Sequence, residues 1–141
     1  MNQIILASHG GLAAGAKDTL EMVLGDVSNV HVVSLARDDK EPITNKVEAM
    51  IATFNADDTV YVLTDMLGSS VNNNMVELSK NGTKFTVVSG FNIPLALTLA
   101  LSPAPVKGAE LAALINEACT GLTNPNAPVE VAPAAPAKKA K

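Results

Sequence analysis

The sequence predicts an α/β fold of three layers, doubly wound, with a mainly parallel sheet of order 2-1-3-4 and room for an antiparallel fifth edge strand. Three observations predict it. Four short apolar runs, at residues 3–7, 31–35, 60–64 and 84–89, alternate with stretches whose apolar residues recur at helical spacing. That alternation calls for parallel strands joined by right-handed crossovers. The first run passes directly into Ser8-His9-Gly10-Gly11, which sets a histidine at the carboxyl end of a first strand. In the 2-1-3-4 winding that end lies beside the end of strand 3, the switch point where such sheets bind ligands.

Each element has its own signal. Gln3-Ile4-Ile5-Leu6-Ala7 reads as a buried strand, and apolar residues at 12, 16, 20, 23 and 24 give the first helix over 12–24. His31 to Leu35 is the second strand. A helix follows from near Pro42, a residue suited to a first helical turn, with Ile43, Val47, Met50, Ile51 and Phe54 on one face. Val60-Tyr61-Val62-Leu63 fits a strand buried on both faces. The third helix runs from about Ser70 to Lys80, turns Val71, Met75 and Leu78 inward, and stops at Asn81-Gly82. Lys84 to Ser89 is the fourth strand, and Leu95 to Leu101 is helical. Ser102-Pro103-Ala104-Pro105 breaks the pattern. A last helix from Gly108 to Cys119 carries Leu111, Leu114, Ile115 and Ala118 inward.

Residues 1–123 read as one domain and residues 124–141, rich in Ala, Pro and Lys, as an extended linker or tail. Val129-Glu130-Val131 is a weak candidate for a short edge strand. A chain of 141 residues with 48% hydrophobic content can bury a core. Aromatics at 3% and no Trp leave no stacking platform for bases or flavins. A net charge of -4 with Arg37 as the one arginine offers no basic stripe for nucleic acid. Cys119, the single cysteine, rules out an internal disulfide and reads as a core residue. The apolar start is too short for a signal peptide and no run reaches membrane-spanning length, so the expected compartment is the cytoplasm.

The chemistry centres on His9. A neutral imidazole attacks phosphorus when one ring nitrogen is held and the other left free. Asp65, at the end of strand 3, is the natural holder, because a carboxylate accepting a ring N–H also stabilises the cation formed on attack. A turn or helix-capping role is the plainer reading of Asp65 taken alone. Ser8, Thr64, Gly68, Ser69 and Ser70 supply hydroxyls and backbone N–H groups around the pair, as candidates to cradle phosphoryl oxygens. Either serine of the 69–70 pair also suits a plain helix cap. Asn72-Asn73-Asn74 reads as pocket lining or as a solvated first turn. His31, without acidic or histidine neighbours at ligand spacing, reads as structural. Asp38-Asp39-Lys40-Glu41 reads as a solvated loop with a capping role.

These residues resemble a known family. Ser-His-Gly after strand 1, Thr-Asp-x-x-Gly-Ser-Ser-x-x-Asn after strand 3 and Gly-Phe-Asn-Ile-Pro-Leu after strand 4 resemble the enzyme IIA domain of the mannose/fructose/sorbose class of the bacterial sugar phosphotransferase system. The likeness covers about residues 2–122. It implies that His9 takes a phosphoryl group on Nε2 from the phosphohistidine of HPr and passes it to a IIB component. Sugar is then phosphorylated during uptake through the membrane components IIC and IID. It implies that Asp65 holds Nδ1–H and that Ser70 and nearby backbone groups hold the phosphoryl oxygens. It implies no metal and no organic cofactor. It also implies a homodimer, with an antiparallel fifth strand exchanged between subunits in some members, which the segment after Cys119 would have to supply.

The chain departs from the family at several points. Gly68-Ser69-Ser70-Val71 stands where Gly-Gly-Ser-Pro is common, Met66 where threonine is frequent, and Gly11 and Leu67 where some relatives carry bulky aromatics. An IIA-like subunit feeding dihydroxyacetone phosphorylation has similar motifs, and the Asn-Ile-Pro segment favours the mannose class. A regulatory domain sensing phosphorylation would use the same His9. A response-regulator receiver would need an acidic Mg²⁺ pocket after strand 1. A histidine phosphatase would need an arginine and a second histidine beside His9, and a flavodoxin would need aromatic walls. None of these is present in the sequence.

Overall fold

The computed structural model describes residues 1–127. Its elements are β1 (Asn2–His9), α1 (Leu12–Leu24), β2 (Val30–Leu35), α2 (Ile43–Ile51), β3 (Thr59–Thr64), α3 (Ser70–Lys80), β4 (Thr86–Ser89), α4 (Ile93–Leu101) and α5 (Gly108–Cys119). The strands pair in parallel in the order β2-β1-β3-β4, as the alternation predicts. Val129-Glu130-Val131 lie outside the described residues, among which the sheet has four strands.

Strand parity sorts the core into two halves. Ile4 and Leu6 of β1 and Tyr61 and Leu63 of β3 face α1, α4 and α5. Ile5 and Ala7 of β1 and Val60 and Val62 of β3 face α2 and α3. The same parity turns Ser8 towards α1 and His9 towards α3. On the first side, the Tyr61 hydroxyl donates to the Val106 carbonyl at 2.9 Å and accepts from its N–H at 2.7 Å. Asn2 Nδ2 reaches the carbonyls of Ser102 and Ala104. These bonds pin the proline-broken connection between α4 and α5 to the sheet.

Several expectations shift. α1 buries Ala13, Ala16 and Leu20 and leaves Leu12 and Val23 exposed. The inward stripe therefore keeps 16, 20 and 24 of the expected 12, 16, 20, 23 and 24, takes Ala13 in place of Leu12 and leaves Val23 out. α4 begins at Ile93, two residues early, because Asn92 caps it by accepting from Leu95 N–H at 3.0 Å. β4 begins at Thr86, where its ladder with Tyr61 starts; Lys84 and Phe85 stay outside it. Cys119 is exposed rather than in the core, since the inward stripe of α5 ends on Ala118 and the next residue turns about 100° away. The loop before α2 does not cap that helix. Pro42 holds the cap position without a side-chain bond, and Asp39 instead accepts from Ala36 N–H and pairs with Lys46 Nζ at 2.8 Å. His31 packs on the Phe54 ring and pairs with Gln3 Oε1 at 2.8 Å through Nε2.

Candidate active site

β1 and β3 end side by side, with Ala7 opposite Thr64, so His9 and Asp65 leave the sheet as neighbours. Gly10, at φ +57°, turns the chain sharply after His9 and donates its N–H to the Leu35 carbonyl of β2 at 2.9 Å. A left-handed backbone of that kind costs any other residue about 1–2 kcal/mol. It lets α1 start immediately and leaves the imidazole at the sheet edge.

Asp65 grips His9 twice. Its Oδ2 accepts the His9 backbone N–H at 2.9 Å and lies 2.9 Å from the ring Nδ1. Its Oδ1 accepts Met66 N–H at 2.9 Å and the Ser69 hydroxyl at 3.4 Å. The Asp65 side chain is 5% exposed and the His9 side chain 42%, so the buried carboxylate positions a ring that faces solvent. Partial burial works against ionisation of Asp65. The His9 backbone N–H, the His9 ring and the Met66 N–H outweigh it and hold the carboxyl below the usual carboxylate range. An ionised carboxylate can only accept. Nδ1 must therefore carry the proton it donates, and in the neutral ring Nε2 is left with its lone pair. Ser70 Oγ lies 3.3 Å from Nε2, on the only side of the ring that Asp65 does not hold.

Ser70 opens α3, and Ser69 caps it by accepting Asn72 N–H at 3.1 Å. Asp65 is thus not the cap; Ser69 takes the role that was open to either serine. Gly68, at φ +82°, closes the loop between Asp65 and the cap, and its carbonyl accepts from Asn73 Nδ2 at 3.3 Å. The N–H groups of Ser70 and Val71, at the positive end of the α3 dipole, have no acceptor within the helix, and Ser70 brings that end to the ring through its Oγ contact with Nε2. Two expected contributors point elsewhere. Ser8 is fully buried, with Oγ accepting from Ala13 N–H at 2.9 Å, so its hydroxyl supports the first turn of α1. Thr64 is fully buried, with Oγ1 donating to Asn72 Oδ1 at 2.7 Å. Asn92 is spent on capping α4 and on a 2.8 Å bond to the Ala118 carbonyl.

The sequence reading missed two features. Asn72 is buried; its place three residues before Met75, on the inward stripe of α3, was the available signal. Leu12, which opens α1, and Met66 and Leu67, which follow Asp65, stand exposed, Leu67 at 82%. His9 itself lies on an open face. A cavity of about 720 Å³ opens at the other end of β3 and β4, among Phe54, Phe85, Lys80, Lys84 and Lys107, and no site residue lines it.

Likeness to known proteins agrees with this geometry. The family model described as "PTS system fructose IIA component" matches residues 3–118. The chain belongs to this family. The IIA chain is 27% identical over 101 residues to the sorbose-specific EIIA component of the phosphotransferase system of Lacticaseibacillus casei, covering 71% of this chain and 72% of that protein. Among solved structures, it is similar to a phosphotransferase system IIA protein associated with the fucose utilization operon of Streptococcus pneumoniae. The TM-score is 0.75 at 30% identity, over 89% of this chain and 93% of that one. A sugar phosphotransferase system protein of Klebsiella pneumoniae is as similar, with a TM-score of 0.76 at 30% identity over 89% and 91% of the two chains. The protein is a IIA component of the mannose/sorbose class, and no helix among its described residues is long and apolar enough to cross a membrane.

Proposed function

We propose that this IIA component is a cytoplasmic phosphohistidine carrier, with His9 Nε2 as the atom that takes and gives the phosphoryl group. The observation that supports the reading is the pair of hydrogen bonds between Asp65 Oδ2 and His9, one to its backbone N–H and one to ring Nδ1, an arrangement that favours the proton on Nδ1 and the lone pair on Nε2. Phospho-HPr supplies the group. The Nε2 lone pair attacks phosphorus in line, the donor's N–P bond breaks, and its electron pair returns to the donor imidazole. The His9 ring then carries positive charge, which the Asp65 carboxylate offsets through Nδ1–H. Ser70 Oγ and the free N–H groups of α3 receive the phosphoryl oxygens. The reverse step delivers the group to a IIB component, and sugar is phosphorylated downstream in partnership with IIC and IID.

An exposed imidazole on an open face suits exchange with another protein, whereas small molecules are held in concave sites. Leu12, Met66 and Leu67 give that face apolar ground for a transient partner. Residues 1–123 are the carrier domain and 124–141 a linker. The domain works as a homodimer. The test is intact mass after incubation with phosphoenolpyruvate, enzyme I and HPr. One added, acid-labile phosphoryl group that requires HPr and His9 is the expected result. An unlabelled, folded wild-type protein, with the carriers active on another acceptor, would sink the reading.

A further inference from the structure

We propose that Asn72 is a positioning residue for phosphoryl transfer at His9, an inference that rests on the phosphocarrier reading above. Asn72 is 2% exposed, and a buried amide is costly unless its polar atoms are bonded. Its Oδ1 accepts from two hydroxyls, Thr64 Oγ1 at 2.7 Å and Ser89 Oγ. Those hydroxyls come from the last residues of β3 and β4, so one side chain of α3 ties both strand ends to the helix. Thr64 is held from its backbone as well, where its carbonyl accepts Gly90 N–H at 2.8 Å and Phe91 N–H at 3.0 Å.

Two routes then lead from Asn72 to the site. One is covalent, since Thr64 directly precedes Asp65. The other belongs to the backbone and survives in Asn72→Ala: the Asn72 main-chain N–H donates to Ser69 Oγ, and the Ser69 hydroxyl reaches Asp65 Oδ1, so the side chain acts by fixing where that N–H sits. Ser70 lies two residues before Asn72 on the same helical turn. Asp65 holds Nδ1 and Ser70 faces Nε2, so Asn72 sets the spacing between the two groups that flank the ring. An apolar residue at this point of the inward stripe would pack, but it would leave the Thr64 and Ser89 hydroxyls unpaired and the loop free to drift. Displacements of about 1 Å at a reacting centre cost up to about 10²-fold in rate.

The test uses the full chain with Asn72→Ala and, should that variant fail to fold, Thr64→Val and Ser89→Ala, which each remove one hydroxyl. Three quantities are read: the rate of His9 phosphorylation by phospho-HPr and by phosphoramidate, the ¹⁵N shifts of the His9 ring, and urea stability. The expected result is a maximal rate lower by about tenfold for both donors. The KM for phospho-HPr stays within about twofold, and the ring shifts move from the Nδ1–H form towards a mixture of tautomers. Folded variants that lose stability but keep wild-type rates and ring shifts would overturn the proposal. If the wild type takes no group from phospho-HPr, the carrier reading falls separately, and the ring shifts and phosphoramidate rates still decide the role of Asn72.

Discussion

At the scale of the residue, the site depends on which nitrogen of His9 holds the proton. Asp65→Asn tests this directly, because it keeps the volume and most of the packing. An amide that keeps its oxygen on Nδ1–H lacks the charge that offsets the imidazolium. One that turns its N–H₂ there, against the His9 backbone N–H, favours the Nε2–H tautomer, which blocks the attacking lone pair; both slow the attack. Phosphorylation of His9 by phospho-HPr should slow by on the order of 10²-fold, as followed by intact mass over time; a rate within about twofold of wild type would show that Asp65 is not the orienting group. Ser70→Ala removes the hydroxyl 3.3 Å from Nε2 and should slow transfer by about tenfold, less than a donor in a closed site, since His9 is open to water that can substitute. The His9 and Asp65 pairing was legible in the sequence because a parallel 2-1-3-4 sheet leaves few places for the ends of strands 1 and 3. The hydroxyl contributors were not. Ser8 and Thr64 lie one residue from His9 and Asp65, and strand parity sends their side chains into the core while the His9 ring reaches the surface and Asp65 bonds to it.

At the scale of the element, α1, α3 and α5 begin and end where the sequence pattern sets them, whereas β4 and α4 do not. α4 starts at Ile93 because the cap at Asn92 outranks the apolar pattern in setting a helix start. The capping amide also holds α5 through the Ala118 carbonyl. Asn92→Ala should therefore cost about 1–2 kcal/mol, the upper part of the range for a lost cap, measured as a lower urea midpoint at unchanged slope. A change below about 0.3 kcal/mol would mean that neither bond matters to the fold. Gly68 makes a different prediction. A Cβ built there meets nothing within 4 Å, so the cost of Gly68→Ala is conformational alone, about 1–2 kcal/mol at φ +82°. That strain falls on the loop joining Asp65 to the start of α3. Transfer should slow more than in Asn92→Ala even where the two variants are equally stable, which a comparison of rate against stability would reveal.

At the scale of the whole molecule, stability should rise with pH from acid to neutral, because every resolved titration shift has the same sign. The carboxyls of Asp65, Asp39 and Asp58 all sit below their ordinary value of 3.8. For Asp65, partial burial pulls the other way and the bonds from His9 and Met66 prevail; for Asp39 the leading cause is the bond from Lys46, and for Asp58 the bond from Gln3. The native state binds these protons less readily than the unfolded chain. The stability they supply is complete above 3.8 and is lost as pH falls through the lower native values. His31 adds a second window. Burial first, and then the charge of Lys17, lower its pKa from 6.5, so the unfolded chain protonates first as pH falls. Its contribution is complete above 6.5 and is lost as pH drops towards the native value. Urea midpoints taken at intervals from pH 8 to pH 2 should thus decline in two stages, one starting near 6.5 and one near 3.8. His31→Phe should remove the first stage and leave the second, since Asp65 and Asp39 are not bonded to it and Asp58 is reached only through Gln3, whose Nε2 still donates to that carboxylate. A first stage that survives this substitution would show that the lowered pKa of His31 is not its source.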